Sequence, residues 1–281
     1  MLACKEWELD TACPGCTKGA TLYYDTEVPA KAVLLYFHGG GLLYGSRNDL
    51  PEYHKEQLTR AGYPVLAFDY LLAPACKLDD IYADVRDSID RAPELLEEDL
   101  PFFLFGRSAG AWMMLITAAA GKLKRQPAGV LSYYGYGFLV DHWYETPSPY
   151  YQQFPAVGED CLKSVPDEPH TAGSLDAHYN VYVYARQSGN WKKLLYTDRD
   201  KFFYLNYSLR LAETFPVPLF AAHATGDPDV PYKEFFKLCN RYHPAQFVAP
   251  ADQHDFDRNE DSEFTHQLLQ ESIAFLDAHV S

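Results

Sequence analysis

The chain has 281 residues, 47% of them hydrophobic and 22% charged, with 22 tyrosines and a formal net charge of −15. That balance is ordinary for a globular protein and excludes fibrous, collagen-like and disordered classes. Its acidity argues against a nucleic-acid partner, and its longest apolar stretch, Ala109–Ala120, falls far short of the ~20 residues of a membrane span.

Met1–Glu6 has no basic stretch leading into an apolar core, so no secretory signal is read and a reducing cytoplasm is the expected compartment. The segment before Lys31 reads as a β-hairpin. Cys13-Pro14-Gly15-Cys16 has the spacing of a redox or zinc motif. Neither a second Cys or His pair nor a following helix accompanies it, so a Pro-Gly turn between two strands is expected. From Lys31 onward, short apolar runs alternate with helical patterns, which predicts a mostly parallel sheet with helices on both faces. Ala32–Phe37 is a buried strand that runs into His38-Gly39-Gly40-Gly41. A helix near Leu50–Arg60 and a strand at Pro64–Tyr70 follow, then an amphipathic helix carrying Leu78, Ile81, Tyr82, Val85 and Ile89. Strand Phe102–Phe105 passes through Gly106-Arg107-Ser108 into the helix Ala109–Ala120. That helix is apolar all round, so it belongs at the centre of the fold.

After a strand at Gly129–Tyr134 the alternation stops, and it resumes at about Glu213. Residues 136–213 hold 16 of the 43 aromatic residues, with helical or extended stretches at Asn180–Gln187 and Tyr196–Leu211. The chain then closes with strand Val217–Ala222, helix Pro231–Tyr242, strand Gln246–Pro250 and helix Glu260–His279. The expected organisation is an α/β body over 1–135 and 214–281, interrupted by an aromatic-rich cap over 136–213.

Gly106-Arg107-Ser108-Ala109-Gly110 has the pattern G-x-S-x-G between a strand and a helix. A serine on so tight a turn has its hydroxyl exposed at the carboxyl edge of the sheet, and only small neighbours leave room for it. The hydroxyl needs a base, and the base an orienting acid. Asp227 and His254 each lie just beyond one of the last two predicted strands, where sites of open α/β sheets are built. Asp229 competes for the acid role, although it reads more naturally as the cap of the helix starting near Pro231. His223 and His243 read as structural. No histidine pair has metal-ligand spacing, so no metal or organic cofactor is expected. The glycines after His38 can bring backbone N–H groups close to a developing oxyanion, with a further amide from Ala109, the residue after the serine.

Taken together, His38–Gly41, Asp69-Tyr70-Leu71-Leu72-Ala73-Pro74 and Gly106–Gly110 resemble the α/β-hydrolase fold. Within it they resemble the hormone-sensitive-lipase-like esterase/lipase group, with its H-G-G-G, D-Y-R-L-A-P-E and G-D-S-A-G-G motifs. The resemblance implies Ser108 as nucleophile, Asp227 as acid, His254 as base, and the amides of Gly39, Gly40 and Ala109 as the oxyanion hole. It implies a serine carboxylesterase acting on a small-molecule ester. Alternatives are a peptidase, amidase, lactonase or thioesterase on the same scaffold, or a non-catalytic binding protein. The sequence departs from the group at Arg107, where Asp is usual, and at Leu71 and Ala75, where Arg and Glu are usual. The group's N-terminal cap helices have no counterpart, and the internal insertion takes their place over the active-site rim. Most of its rings are expected to form its own core, a minority lining the substrate pocket. Arg186 and Lys192 within it read as solvated cations, or else as contacts for an anionic substrate group.

Overall fold

In the computed structural model, which describes residues 1–96 and 99–280, one eight-stranded sheet runs through the molecule. The predicted body segments also reach Glu97, Glu98 and Ser281, which lie outside the described residues. The chain opens with an antiparallel hairpin, β1 (Leu2–Asp10) and β2 (Thr17–Asp25). The Cys13–Cys16 stretch is its turn, held by the Thr11 hydroxyl, which accepts the Cys13 N–H and donates to the Cys16 carbonyl.

The remaining strands are β3 (Val33–Phe37), β4 (Val65–Phe68), β5 (Phe102–Arg107), β6 (Gly129–Tyr133), β7 (Leu219–Ala224) and β8 (Ala245–Ala249). Their order across the sheet is β1-β2-β4-β3-β5-β6-β7-β8, antiparallel at β1–β2–β4 and parallel from β4 onward. Strands β3 to β7 are buried on both faces, which is why they read as unbroken apolar runs. The edge strand β8 buries only Phe247 and Ala249. Strand β7 starts two residues later than the apolar run suggests. Pro218 has no N–H to give a ladder and contributes only its carbonyl, to the Val130 N–H.

Alternate side chains feed two cores. Helices α1 (Glu52–Arg60) and α8 (Glu263–His279) cover one face, where Leu58, Leu268 and Leu276 pack with Leu34, Tyr36, Phe103 and Phe105. On the other face lie α2 (Leu78–Leu95), α3 (Ala109–Ala120) and α7 (Tyr232–Tyr242). Every residue of α3 from Ala109 to Ala118 is buried.

Between β6 and β7 the chain makes a long excursion containing α4 (Leu175–Ser188), α5 (Trp191–Leu195) and α6 (Asp200–Tyr207). Of the run expected over Tyr196–Leu211, only α6 is helical. The interior of the excursion is continuous with the second core. Trp112 of α3 lies 5.5 Å from Trp191 and stacks on Tyr136 at 5.3 Å, and its indole N–H donates to the Tyr207 carbonyl. The buried Glu234 of α7 holds the start of the excursion, its carboxylate accepting the N–H groups of Gly137, Phe138 and Val140 and of the Trp143 indole. No helix among the described residues is long and apolar enough to cross a membrane.

Candidate active site

Ser108 stands at the junction of β5 and α3 with φ +52° and ψ −117°. A side chain rarely adopts that region, and such strain persists only where the surroundings enforce it. Here they do. The Ser108 N–H donates to the Tyr133 carbonyl, and the helix begins at once, with the Trp112 N–H on the Ser108 carbonyl. Gly110 makes the turn possible: a Cβ there would sit 2.1 Å from the Phe37 carbonyl oxygen. The second residue of α3 therefore lies directly against the end of β3.

The three residues predicted to act together are brought together from β5, β7 and β8. His254 Nε2 is 2.8 Å from Ser108 Oγ, and His254 Nδ1 is 2.7 Å from Asp227 Oδ2. The other carboxylate oxygen of Asp227 accepts the N–H groups of Asp229 and Val230 at 2.8 and 2.9 Å. Burial disfavours the charge on both partners, but their attraction outweighs it. Asp227 is held below the usual carboxylate range, and the His254 imidazole is pushed up to about 9, with Asp229 and Asp255 adding to the Asp227 field. His223, expected to be structural, is fully buried with Nε2 on the Val230 carbonyl and 3.3 Å from Asp227 Oδ2. Burial lowers its pKa against the pull of Asp227.

Strand β3 ends at Phe37 and α3 begins at Ala109, so the amides of Gly39, Gly40 and Ala109 fall outside the strand ladder and at the unpaired start of a helix. The loop is pressed on the elbow: a Cβ on Gly39 would meet both the Arg107 carbonyl and Ser108 Cβ at 3.2 Å. Tyr70 fixes it from below, donating to the His38 and Gly39 carbonyls at 2.9 and 3.0 Å and stacking on the His38 ring at 4.2 Å. The Asp69–Pro74 motif thus supports the glycine loop. Asp69 in turn accepts the Arg47 N–H and pairs with its guanidinium.

Two expectations are corrected. Asp229 caps no helix: its carboxylate accepts the Tyr182 hydroxyl at 2.7 Å and pairs with Arg186 Nε at 3.1 Å, while Arg186 Nη2 donates to the Asp229 carbonyl. The helix behind it starts on Pro231 with no side-chain cap. Arg186 and Lys192 are not solvated cations either. Arg186 is buried between Asp229 and the faces of Trp143 and Tyr151, and Lys192 is buried between Glu145 and Asp200 at 2.7 and 2.8 Å. Each has found a carboxylate within the protein, which a buried cation requires. Among the described residues no cluster of three or more His, Cys, Asp or Glu is placed to hold a metal ion.

The model of the α/β-hydrolase fold family matches residues 34–169, the stretch containing the glycine loop, Tyr70 and the Ser108 elbow. The chain has the α/β-hydrolase fold. A crystal structure of a protein of unknown function from Staphylococcus aureus subsp. aureus Mu50 is 28% identical, covering 99% of this chain and 100% of that one at a TM-score of 0.85. An α/β hydrolase superfamily protein from Enterococcus faecalis is 24% identical, covering 98% of each chain at a TM-score of 0.81. Among curated proteins, ethyl acetate hydrolase of Pseudomonas putida is 28% identical over 160 residues, 49% of this chain. The chain spans half of that enzyme, and 8% of a non-reducing polyketide synthase of Penicillium brasilianum that it also matches.

Sequence reasoning missed Tyr182, Arg186 and Asp229 as a unit, and likewise the partners of Arg107. The one signal available was Arg107 itself, a cation where the family resemblance leads one to expect Asp.

Proposed function

We propose that this α/β hydrolase is a serine carboxylesterase that cleaves small soluble carboxylic esters through an acyl-enzyme. The observation that carries the reading is the continuous hydrogen-bonded chain from Ser108 through His254 to Asp227. Ser108 Oγ attacks the ester carbonyl as His254 Nε2 takes its proton, and Asp227 stabilises the imidazolium without itself becoming protonated. The oxyanion faces the amides of Gly39, Gly40 and Ala109, each such donor being worth about 10²–10³ in rate. Collapse expels the alcohol, which takes the proton back from His254. Water then gives a proton to His254 and attacks the acyl group, releasing the acid and restoring Ser108.

Crowding supports compact substrates. A Cβ on Gly41 would come within 2.3 Å of the Tyr182 ring and 3.2 Å of the Trp191 indole nitrogen, so the excursion presses on the glycine loop as a cap. Likeness to an ethyl acetate hydrolase is in keeping with that. All six cysteines are free, which suits the reducing cytoplasm in which we propose the enzyme works. The test is hydrolysis of a short-chain p-nitrophenyl ester. Ser108→Ala should lower kcat by roughly 10⁶ with the circular-dichroism spectrum unchanged, and undiminished turnover in that variant would sink the assignment.

A further inference from the structure

Three residues past His254 is Asp257, fully buried and unused by the proposed reaction. Its carboxylate gathers side chains from three elements. Oδ2 is 2.9 Å from His54 Nε2 of α1, and Oδ1 accepts both Arg107 Nη2 at the end of β5 and the Tyr134 hydroxyl just past β6, each at 2.9 Å. Burial would raise the Asp257 carboxyl, but Arg107 and His54 hold it well below the usual range. Burial would likewise discharge Arg107, but Asp257 keeps it charged. The second arm of Arg107 lies 3.5 Å from Asp49, which also accepts the Tyr36 hydroxyl and Arg258 Nη2.

Tyr134 links this network to the imidazole. Its ring meets His254 edge to face, with centroids 4.7 Å apart at 61°. Its backbone is held at φ +41°, with its N–H on the Ala222 carbonyl of β7. His254 needs such a support. The residues before it, Asp252 and Gln253, are exposed, and β8 has already ended at Ala249, so no ladder fixes the loop.

We propose that Arg107, Asp257 and Tyr134 are positioning residues for His254: the Arg107–Asp257 ion pair ties the strand carrying Ser108 to the loop carrying His254 and holds the Tyr134 ring against the imidazole. Two closed circuits result. One runs from Ser108 through Arg107 and Asp257 to His254 and back, the other from His254 through Asp257 and Tyr134. Arg107 therefore has a task that its position beside the nucleophile makes necessary. The proposal rests on His254 being the base.

The charged and titratable groups facing His254 are Asp227, Asp229 and His223 from the β7 side, Asp255 from its own loop, and Tyr134. Arg107, Asp257 and Arg258 act on Tyr134 from behind. Asp257→Asn removes an anion from the network while Arg107 keeps its charge beside Asp49, and should move the acid limb of the kcat/KM profile to lower pH. Arg107→Met leaves the Asp257 anion and should move it to higher pH. A merely structural ion pair would weaken folding in both and shift neither limb in opposite senses.

Tyr134→Phe keeps the ring and removes only the hydroxyl, so it decides the matter even if the charge variants fail to fold. We expect kcat for the p-nitrophenyl ester to fall roughly ten- to a hundredfold through misplacement of the base, with KM within about twofold and the melting temperature lowered by no more than the loss of one hydrogen bond. Phosphonylation of Ser108 by a fluorophosphonate should slow in parallel. Unchanged kcat and phosphonylation in Tyr134→Phe overturn the proposal, as do pH limbs that move together in the two folded charge variants. If wild-type Ser108 is not phosphonylated at all, the reading of the site fails instead.

Discussion

The loops carrying Asp227 and His254 are built alike but anchored in different parts of the molecule. Each carries a second aspartate close to its functional residue, Asp229 beside Asp227 and Asp257 beyond His254, and each of these is buried against an arginine. Arg107 lies in the central strand β5, whereas Arg186 lies on α4, outside the sheet. The loop of His254 is thus tied to the sheet and the loop of Asp227 to the excursion. Because Tyr182 touches both Asp229 and the space over Gly41, a change in the excursion beside the glycine loop is also felt at the loop of Asp227. Among the described residues nothing comparable links the excursion to Asp257.

Four substitutions test that contrast. The largest effect should come from Asp227→Asn, which leaves the imidazole without its anion and should cost about 10⁴ in kcat, whereas Asp229→Asn should cost far less. Steady-state kinetics on both variants settles which aspartate is the acid, and the reverse order would transfer that role to Asp229. Next comes Arg186→Met. Breaking a buried ion pair from one side costs about 3–5 kcal/mol, so thermal unfolding should fall sharply. Limited proteolysis should then cut first within residues 136–213, and initial cuts in the α/β body would mean the latch does not belong to the excursion.

A smaller effect is expected in the pH profile. The proposed reaction needs neutral His254, so in the wild type kcat/KM should rise with pH through a limb displaced above the ordinary imidazole value, toward about 9. Asp229→Asn removes one of the carboxylates that raise it and should bring that limb down, while a limb that stays put would separate Asp229 from the base electrostatically. The least effect belongs to Tyr182→Phe. It deletes one hydrogen bond, worth about 1 kcal/mol in thermal stability, and KM should change more than kcat. Equal losses in both would place Tyr182 nearer the chemistry than the contrast allows.

Much of the candidate site was legible because it is written in local backbone geometry. A strand, a G-x-S-x-G turn and an apolar helix specify where Ser108 points, whatever lies elsewhere. The order of Asp227 and His254 after the last two strands likewise follows from strand ends converging on one edge. Boundaries were less secure where prolines interrupt an apolar run, as before β7. The excursion was legible only as an aromatic-rich interruption, since Trp143, Trp191 and Phe203 carry no periodic signal separating a core of their own from one shared with α3.

What the sequence by itself determined is the scaffold, the elbow and the residues able to form a proton relay, because propensity, periodicity and glycine placement act over a few residues. Only the tertiary structure decided the destinations of the charged side chains. Asp229 could have capped its own helix, and Arg186 could have stayed in water. A buried charge takes whichever opposite charge the packing brings within reach, and those partners lie 43 residues apart for Arg186 and Asp229 and 150 for Arg107 and Asp257. No local pattern records a pairing of that range.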